Sequence, residues 1–343
     1  MKKVLIDESL GQYRANLHCH TTISDGSKSP EEMKEFYKAH GYSAIAFTDH
    51  EAFLTHNDLT DDSFVALNGY ELSVSDGWGP YSKCCHICFV ALEPDNDIDV
   101  CYHRTQYLWG NAAGYRDKIK FDENQPDFVR EYTAEGINRL IKRGRDGGFF
   151  VTYNHPTWSL EDYSNYMGYE GMNAMEIVNY GCVAAGYDDD NGHAYDDMLR
   201  GGKRIFCVAT DDNHNGHPDS SPLCDSFGGC TVILAPRLGY RELTSALERG
   251  EFYAVSGTST HRGPEIKSLV WEDGKVTIKT SAARNICLLT GSRGSQIKAA
   301  NDGETITEAT FSIAEHETYF RLTVTDREGY KSYTNAYFTD MLK

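Results

Sequence analysis

Two imidazoles stand one residue apart at His18 and His20, and a carboxylate, Asp25, follows just before Gly26. On an extended strand alternate side chains share a face, so both rings point one way and Cys19 the other. Imidazole is the commonest protein ligand for a transition metal, and two on one face near a strand end can chelate one ion without backbone distortion. Taken alone, the pair reads equally well as ordinary histidines of a half-buried strand. Residues of the same chemistry recur where apolar runs begin or stop: His50, Glu71, His86, His155, Asp212 and His214. Cys85-His86-Ile87-Cys88 is the one Cys-x-x-Cys among ten scattered cysteines. With no second pair, it reads as reduced core cysteines rather than a structural zinc site.

The elements that must position these residues alternate. Ser29-Pro30-Glu31-Glu32 is a helix start, with Met33, Phe36, Tyr37 and His40 on one face and Gly41 as the stop. A strand over 42–47 then runs into Thr48-Asp49-His50. Further strands are expected over 64–70, 87–92, 149–153, 175–178, 204–209, 231–234 and 252–255, with helices over 134–145, 194–200 and 241–249. Ligand-type residues at C-terminal strand ends suggest a barrel whose site lies on that face. Residues 93–133 break the rhythm and read as an insertion over the barrel mouth. From Pro264 the helix signal vanishes and Asp273-Gly274 marks a hairpin turn. The expectation is an α/β barrel over 1–263 followed by a small all-β sandwich over 264–343.

The chain has 343 residues and a formal net charge of −18, which opposes non-specific binding to nucleic acid or an anionic membrane. A small phosphorylated substrate remains compatible if cations sit in the site. Acidic residues interrupt the N-terminal apolar run, leaving neither a secretory signal nor a membrane span, so a cytoplasmic location is the expectation.

The motifs Leu-His-Cys-His with Ser-Asp-Gly, Phe-Thr-Asp-His, Gly-Tyr-Glu, Cys-His-Ile, Asn-His-Pro and Thr-Asp-Asp-Asn-His span residues 16–214. In this order they resemble the PHP (polymerase and histidinol phosphatase) metallohydrolases. Glu-Arg-Gly-Glu-Phe-Tyr-Ala-Val-Ser-Gly, leading into a β-domain, is similar to the CehA/McbA-like branch. The resemblance implies a distorted (βα)7 barrel holding two to three divalent ions. It assigns His18, His20, Glu71 and Asp212 to the first ion. Glu71 would bridge to a second, completed by His86 and His155, and Asp25, His50 and His214 would bind a third. Glu71, Asp212 and His214 are the implied catalytic residues. Asp212 is chosen over Asp211 because it keeps the Asp-x-His spacing. Asp49 reads as structural support, and Asn154 and Asn179 as groups that orient loops or ligands.

Mixed imidazole and carboxylate donors suit Zn, Mn or Fe. A water bridging two such ions ionises near neutral pH and attacks phosphorus in line. The leading expectation is therefore a metal-dependent phosphoesterase for a small phosphorylated molecule, with Lys83, Arg104 and Arg116 as candidate phosphate-binding residues. The alternatives are an ester, carbamate or amide hydrolase on the same site, and a non-catalytic module.

Overall fold

The capping box expected at Ser29 is formed in the computed structural model, which describes residues 2–342. The Ser29 hydroxyl accepts from the Glu32 amide, the Glu32 carboxylate accepts from the Ser29 amide, and Pro30 opens helix α1 (Pro30–Ala39). Strands β1 (Lys2–Ile6) and β2 (Gly11–Asn16) precede it, and β3 (Ala44–Phe47), β4 (Val65–Ser75) and β5 (Cys84–Ala91) follow. Beyond an irregular excursion come α2 (Ala134–Asp146), β6 (Phe149–Tyr153), α3 (Tyr163–Tyr166), β7 (Ala174–Asn179), α4 (Tyr180–Ala184), α5 (Gly192–Arg200) and β8 (Phe206–Thr210). β9 (Gly229–Ala235), α6 (Tyr240–Arg249) and β10 (Phe252–Ser256) complete the α/β part.

β2, β3 and β4 pair in parallel, as do β6, β7 and β8. The alternating strand–helix order of the expected distorted barrel breaks at β5, which runs antiparallel to both β4 and β6. No helix lies between β4 and β5. Asp76-Gly77-Trp78-Gly79-Pro80, rich in turn residues, folds them into a hairpin instead. The hairpin lengthens both strands, so Glu71 and His86 lie within strands rather than at their ends. The sheet is also not closed by a continuous ladder. The end of β8 meets the segment after β2 through a single parallel bridge, Cys19–Asn213, and the backbone hydrogen bonds Asp212 N to His18 O (2.9 Å) and His20 N to Asn213 O (3.2 Å).

The C-terminal region is all β: β11 (Ile266–Glu272), β12 (Lys275–Ala283), β13 (Asn285–Thr290), β14 (Gln296–Ala299), β15 (Ile306–Ser312), β16 (Tyr319–Thr325), β17 (Lys331–Thr334) and β18 (Tyr337–Phe338). One sheet has the order β1-β11-β12-β15, so the N-terminal strand pairs into this region. The second, β14-β13-β16-β17, continues through β10 and β9 into β2, making one 14-stranded sheet. Trp271, Val276, Ile278, Leu288, Phe311, Phe320 and Leu322 fill the space between. Arg321 of β16 crosses to the α/β part and forks onto Asp196 of α5, with Nε and Nη2 at 2.7 and 2.8 Å from its two oxygens. The Arg321 side chain is almost fully buried, so removing one partner strands a charge. Arg321→Leu should cost about 3 kcal/mol of unfolding free energy, and adding Asp196→Leu should return most of it. Urea denaturation of the two variants measures both numbers, and equal losses would refute the clamp.

The excursion over 93–133 contains one 3-10 turn, Gly110–Lys118, and a small core of Ala112 and Ile119 against Ile23 and Ala52. At its start Asp99 is buried beneath Tyr70, whose hydroxyl donates to Oδ1 (3.0 Å) beside the Cys101 amide (2.8 Å). Burial pushes this carboxyl up to about 7, against about 3.9 in an unfolded chain. Between these values the folded state keeps a proton the unfolded state has lost, so stability declines as pH rises through the window. Asp99→Asn keeps the accepting oxygen and removes the titration. Its stability from pH 4 to 7 should lack a declining component of up to ~1.4 kcal/mol per pH unit, as denaturant titrations at several pH values would show.

Candidate metal centre

His18 and His20 stand just past the end of β2. The Cys19 amide donates to Thr48 Oγ1 (2.9 Å) and its thiol is buried in the core, which leaves both imidazoles on the opposite face. Asp49 holds the following loop by accepting from the Thr21 amide (2.7 Å) and hydroxyl (2.8 Å) and from the Ser24 amide (3.1 Å) and hydroxyl (2.8 Å). Gly26 closes that loop where a Cβ would meet the His20 carbonyl at 2.6 Å, so only glycine fits. Asp25 is thereby held beside His20.

The remaining donors arrive from other strands. His50 follows β3 and bridges to Glu71 of β4. His86 comes from β5, His155 follows β6, and Asp212 and His214 follow β8. His155 and Asp212 both take positive φ, at 22° and 49°, which turns their side chains off the strand line. His18 Nε2 and His20 Nε2 lie 3.1 Å apart, and both face Asp212 Oδ1, at 3.1 and 3.0 Å. Glu71 completes this group, with Oε1 3.2 Å from His18 and Oε2 3.4 Å from His20. The same Oε1 lies 3.1 Å from His86 Nδ1 and 3.4 Å from His155 Nε2, while Oε2 lies 3.0 Å from His50 Nδ1. Asp25 faces His20, His50 and His214 at 3.7, 3.8 and 3.5 Å. All nine expected donors therefore meet in one hollow, with Glu71 at its centre.

Metal bonds of about 2.0–2.2 Å place neighbouring ligand atoms roughly 3.0–3.5 Å apart, the spacing of the group built on His18, His20, Glu71 and Asp212. His50 Nδ1 and Glu71 Oε2 are buried without a hydrogen-bond partner despite their close approach. Such atoms are costly unless something else satisfies them, and a cation lying between them would. Burial, with the imidazoles of His214 and His50, holds His20 at about 4, and burial with His86 and His214 holds His50 at about 4. Both rings are thus neutral, the form that ligates, at neutral pH. Burial alone would raise Glu71, but His18, His86 and His50 keep its carboxyl well below the usual range. The donor set fits divalent transition metals.

Asp211 does other work. Its oxygens accept from the Phe227 amide (2.8 Å), the Gly229 amide (2.8 Å) and the Tyr37 hydroxyl (2.7 Å), and burial raises it to about 7. Asn154 donates to Glu71 Oε1 (2.9 Å), and Asn179 donates to Asp212 Oδ2 (3.0 Å). Sequence reasoning missed Glu176 of β7. This fully buried carboxylate lies 2.8 Å from His18 Nδ1 and accepts from the His155 amide (2.9 Å), Asn179 Nδ2 (2.9 Å) and Thr210 Oγ1 (2.6 Å). Its available signal was a lone acid inside the apolar run Ala174–Asn179.

The donors open into a cavity of about 1350 Å³. Lys83, Arg104 and Arg116 do not line it, which corrects their assignment as substrate-binding residues. Lys83 is held by Asp162 and Asn165, Arg104 by Asp127, and Arg116 by the Arg104 carbonyl. The cation on the cavity wall is Arg130, whose Nη1 and Nη2 fork onto Glu51 at 2.8 and 2.6 Å.

Residues 16–142 match the family model of the PHP domain. His155, Asp212 and His214 lie beyond the matched residues. The DNA polymerase/3'-5' exonuclease PolX of Bacillus subtilis (strain 168) is 28% identical over 151 residues, covering 32% of this chain. The chain spans about a quarter, 26%, of that protein's length. Among solved structures, a two-domain protein from Bacteroides vulgatus ATCC 8482, described as containing a predicted PHP-like metal-dependent phosphoesterase, is similar over 98% of both chains, with 13% identity and a TM-score of 0.48. An amidohydrolase from Chromobacterium violaceum, with bound sulfate and no metal, is similar over 68% of this chain and 96% of its own, with 16% identity and a TM-score of 0.37.

A carboxylate behind a ligand imidazole fixes its tautomer and raises its basicity, and losing one typically costs 10–100-fold in metal affinity. Glu176→Gln should therefore weaken binding of the ion at His18 by roughly that factor while circular dichroism stays unchanged. Competition with a chelator reads the affinity, and a wild-type value would remove Glu176 from the centre.

Proposed function

We propose that the chain is a metal-dependent phosphoesterase acting on a small phosphorylated molecule at a centre of up to three divalent ions, Zn, Mn or Fe. The observation that carries this is the position of Glu71. Its Oε1 faces His18, His86 and His155 and its Oε2 faces His20 and His50, as a carboxylate shared between ions must. Bound ions would supply Lewis acidity, an activated water and the charge to hold a phosphoryl group. The protein's own side chains set the rest. Glu176 orients His18, Asn179 steers the Asp212 carboxylate through Oδ2, Asn154 steers the Glu71 carboxylate through Oε1, and Asp25 with His214 sits at the solvent side of the hollow. Three ligand carboxylates against three divalent ions leave a locally cationic centre in an acidic protein, which favours an anionic ester.

The same centre suits a carbonyl substrate. That second reading, hydrolysis of an ester, carbamate or amide, is favoured by the cavity wall, whose one Arg or Lys is already paired with Glu51. Assays of the purified protein on p-nitrophenyl phosphate, its bis-ester and p-nitrophenyl acetate with defined metals separate the two. The ten cysteines are all unpaired, which supports the proposed cytoplasmic setting. No helix among the described residues is long and apolar enough to cross a membrane.

Glu71→Gln keeps the side-chain size and removes the shared charge. It should lose the first two ions together and lower turnover by about 100-fold or more. His214→Ala should empty mainly the site at Asp25 and cost less. Elemental analysis and initial rates on folded variants give both readouts. A folded Glu71→Gln variant with full metal content and wild-type turnover would sink the assignment.

A further inference from the structure

His155 holds a backbone conformation that something must maintain. Its φ of 22° is sparsely populated for any residue but glycine, and such a residue persists only where its surroundings fix it. Two restraints are local. The His155 carbonyl accepts from the Ser159 amide (3.1 Å), and its Nδ1 lies 3.1 Å from the hydroxyl of Ser159, which has no exposure. The turn over 155–161 that makes these contacts is gripped from outside by the loop between α4 and α5. Asp189, fully buried, accepts from the Trp158 amide through Oδ2 (3.1 Å). The Thr157 hydroxyl donates to the Asp188 carbonyl (3.1 Å) and to Asn191 Oδ1 (3.2 Å).

The residue after Asp189 faces the other way. Asp190 bridges to Val178 in extended pairing, where neighbouring side chains take opposite sides. Its carboxylate meets β17 of the C-terminal region. The Tyr333 hydroxyl lies 3.0 and 2.9 Å from its two oxygens, and Lys331 Nζ donates to Oδ2 at 2.6 Å. Lys331 and Tyr333 stand two apart on the strand and so share a face. β17 is hydrogen-bonded between β10 and β16, and Tyr333 is buried. Burial and the Asp190 charge raise the Tyr333 hydroxyl, so it keeps its proton and donates. Two adjacent acids thus join the C-terminal region to the turn of one candidate ligand. The backbone around His18 and His20 is held elsewhere, by Thr48 and Asp49.

We propose that β17 is a buttress for the metal centre: Tyr333 and Lys331, through Asp190 and Asp189, hold the turn that sets His155 and so tune the ion that His155, His86 and Glu71 would share. This rests on the metal-centre reading above and gives the C-terminal region a task in it. Asp189, Asp190 and Tyr333 are positioning residues, since none of them reaches the centre itself. Arg321 and Asp196 join the same two regions at α5, away from this turn, and supply an internal control.

The test is chelator competition on the metal-loaded full chain, which reads ion affinity with no substrate present. Asp189→Ala should weaken one bound ion by about 10-fold, the low end for losing a group behind a ligand. Tyr333→Phe should weaken the same ion by about threefold, as coupling through a longer path allows. In a His155→Ala background neither change should shift the ions that remain, because the route to the centre is cut. Arg321→Leu should lower stability and move no ion affinity by more than about twofold, the additivity expected of a distant site. Circular dichroism checks that each variant is folded. Wild-type affinity for every ion in Tyr333→Phe, or an Arg321→Leu loss as large as the Tyr333→Phe loss, would overturn the buttress and leave the metal centre standing. A wild-type chain that binds no ion would reject both together.

Discussion

A carboxylate with no exposure, Glu71, faces five imidazoles from four directions in the fold, and the rest of the centre follows from that burial. An ionised carboxylate deep in a protein is tolerated only when paired and hydrogen-bonded. Here Asn154 donates to one oxygen and the other has no hydrogen bond at all. Of these imidazoles His20 and His50 are kept neutral by burial, while, against burial, Asp212 and Glu71 raise His18 and Glu71 raises His86, so the carboxylates hold on one part of the ring set the positive charge that a divalent cation would supply. β4, an 11-residue strand hydrogen-bonded on both sides, keeps Glu71 from moving to water.

Much of this centre was legible in the chain because metal ligation restricts residue type. Histidines and carboxylates at the limits of apolar runs stand out from a core background, and all nine such residues converge. What stayed illegible was the shell behind them. Glu176 looks like any strand glutamate until β7 is placed beside β8 and the His18 ring is seen to need a partner. The cations misled for a related reason. Lys83, Arg104 and Arg116 have the right charge for phosphate, but a charge says nothing about distance. In an acidic chain each had a nearer carboxylate or carbonyl to bind.

The fold was read in a similar proportion. Helix periods located the parallel units, since α2 and α6 each show a clear apolar face, and β6 stood out as a short apolar run. The hairpin between β4 and β5 escaped because a fully buried strand carries no alternation to show its direction. Pairing partners escaped as well. β1 joins the far end of the chain, and β10 carries one sheet from the α/β part into the C-terminal region, across sequence gaps no local pattern encodes. The position of β9 also explains why the strand ladder does not close on itself. β9, with β10 beyond it, occupies the edge of β2 that β8 would need, so β8 reaches the segment after β2 only through the Cys19–Asn213 bridge.

That arrangement places an extra demand on the excursion over 93–133, which must be fastened over the centre without adding positive charge to it. Arg130 does this through Glu51, the residue directly after His50. The Glu51 amide donates to the Glu71 carbonyl (2.8 Å), and its carboxylate also accepts from the Ser73 amide (3.1 Å). Glu51 holds a left-handed φ of 64°, a conformation that packing must maintain in a residue other than glycine. The fork onto Arg130 supplies a reason for it to persist. It ties the excursion to the two backbone segments that carry His50 and Glu71, and it cancels its own charge in doing so. The one Arg on the cavity wall is thereby paired, and the excursion presents the Trp109 ring beside His50. One buried ion pair in this way fixes the backbone of two candidate ligands and the segment that covers them.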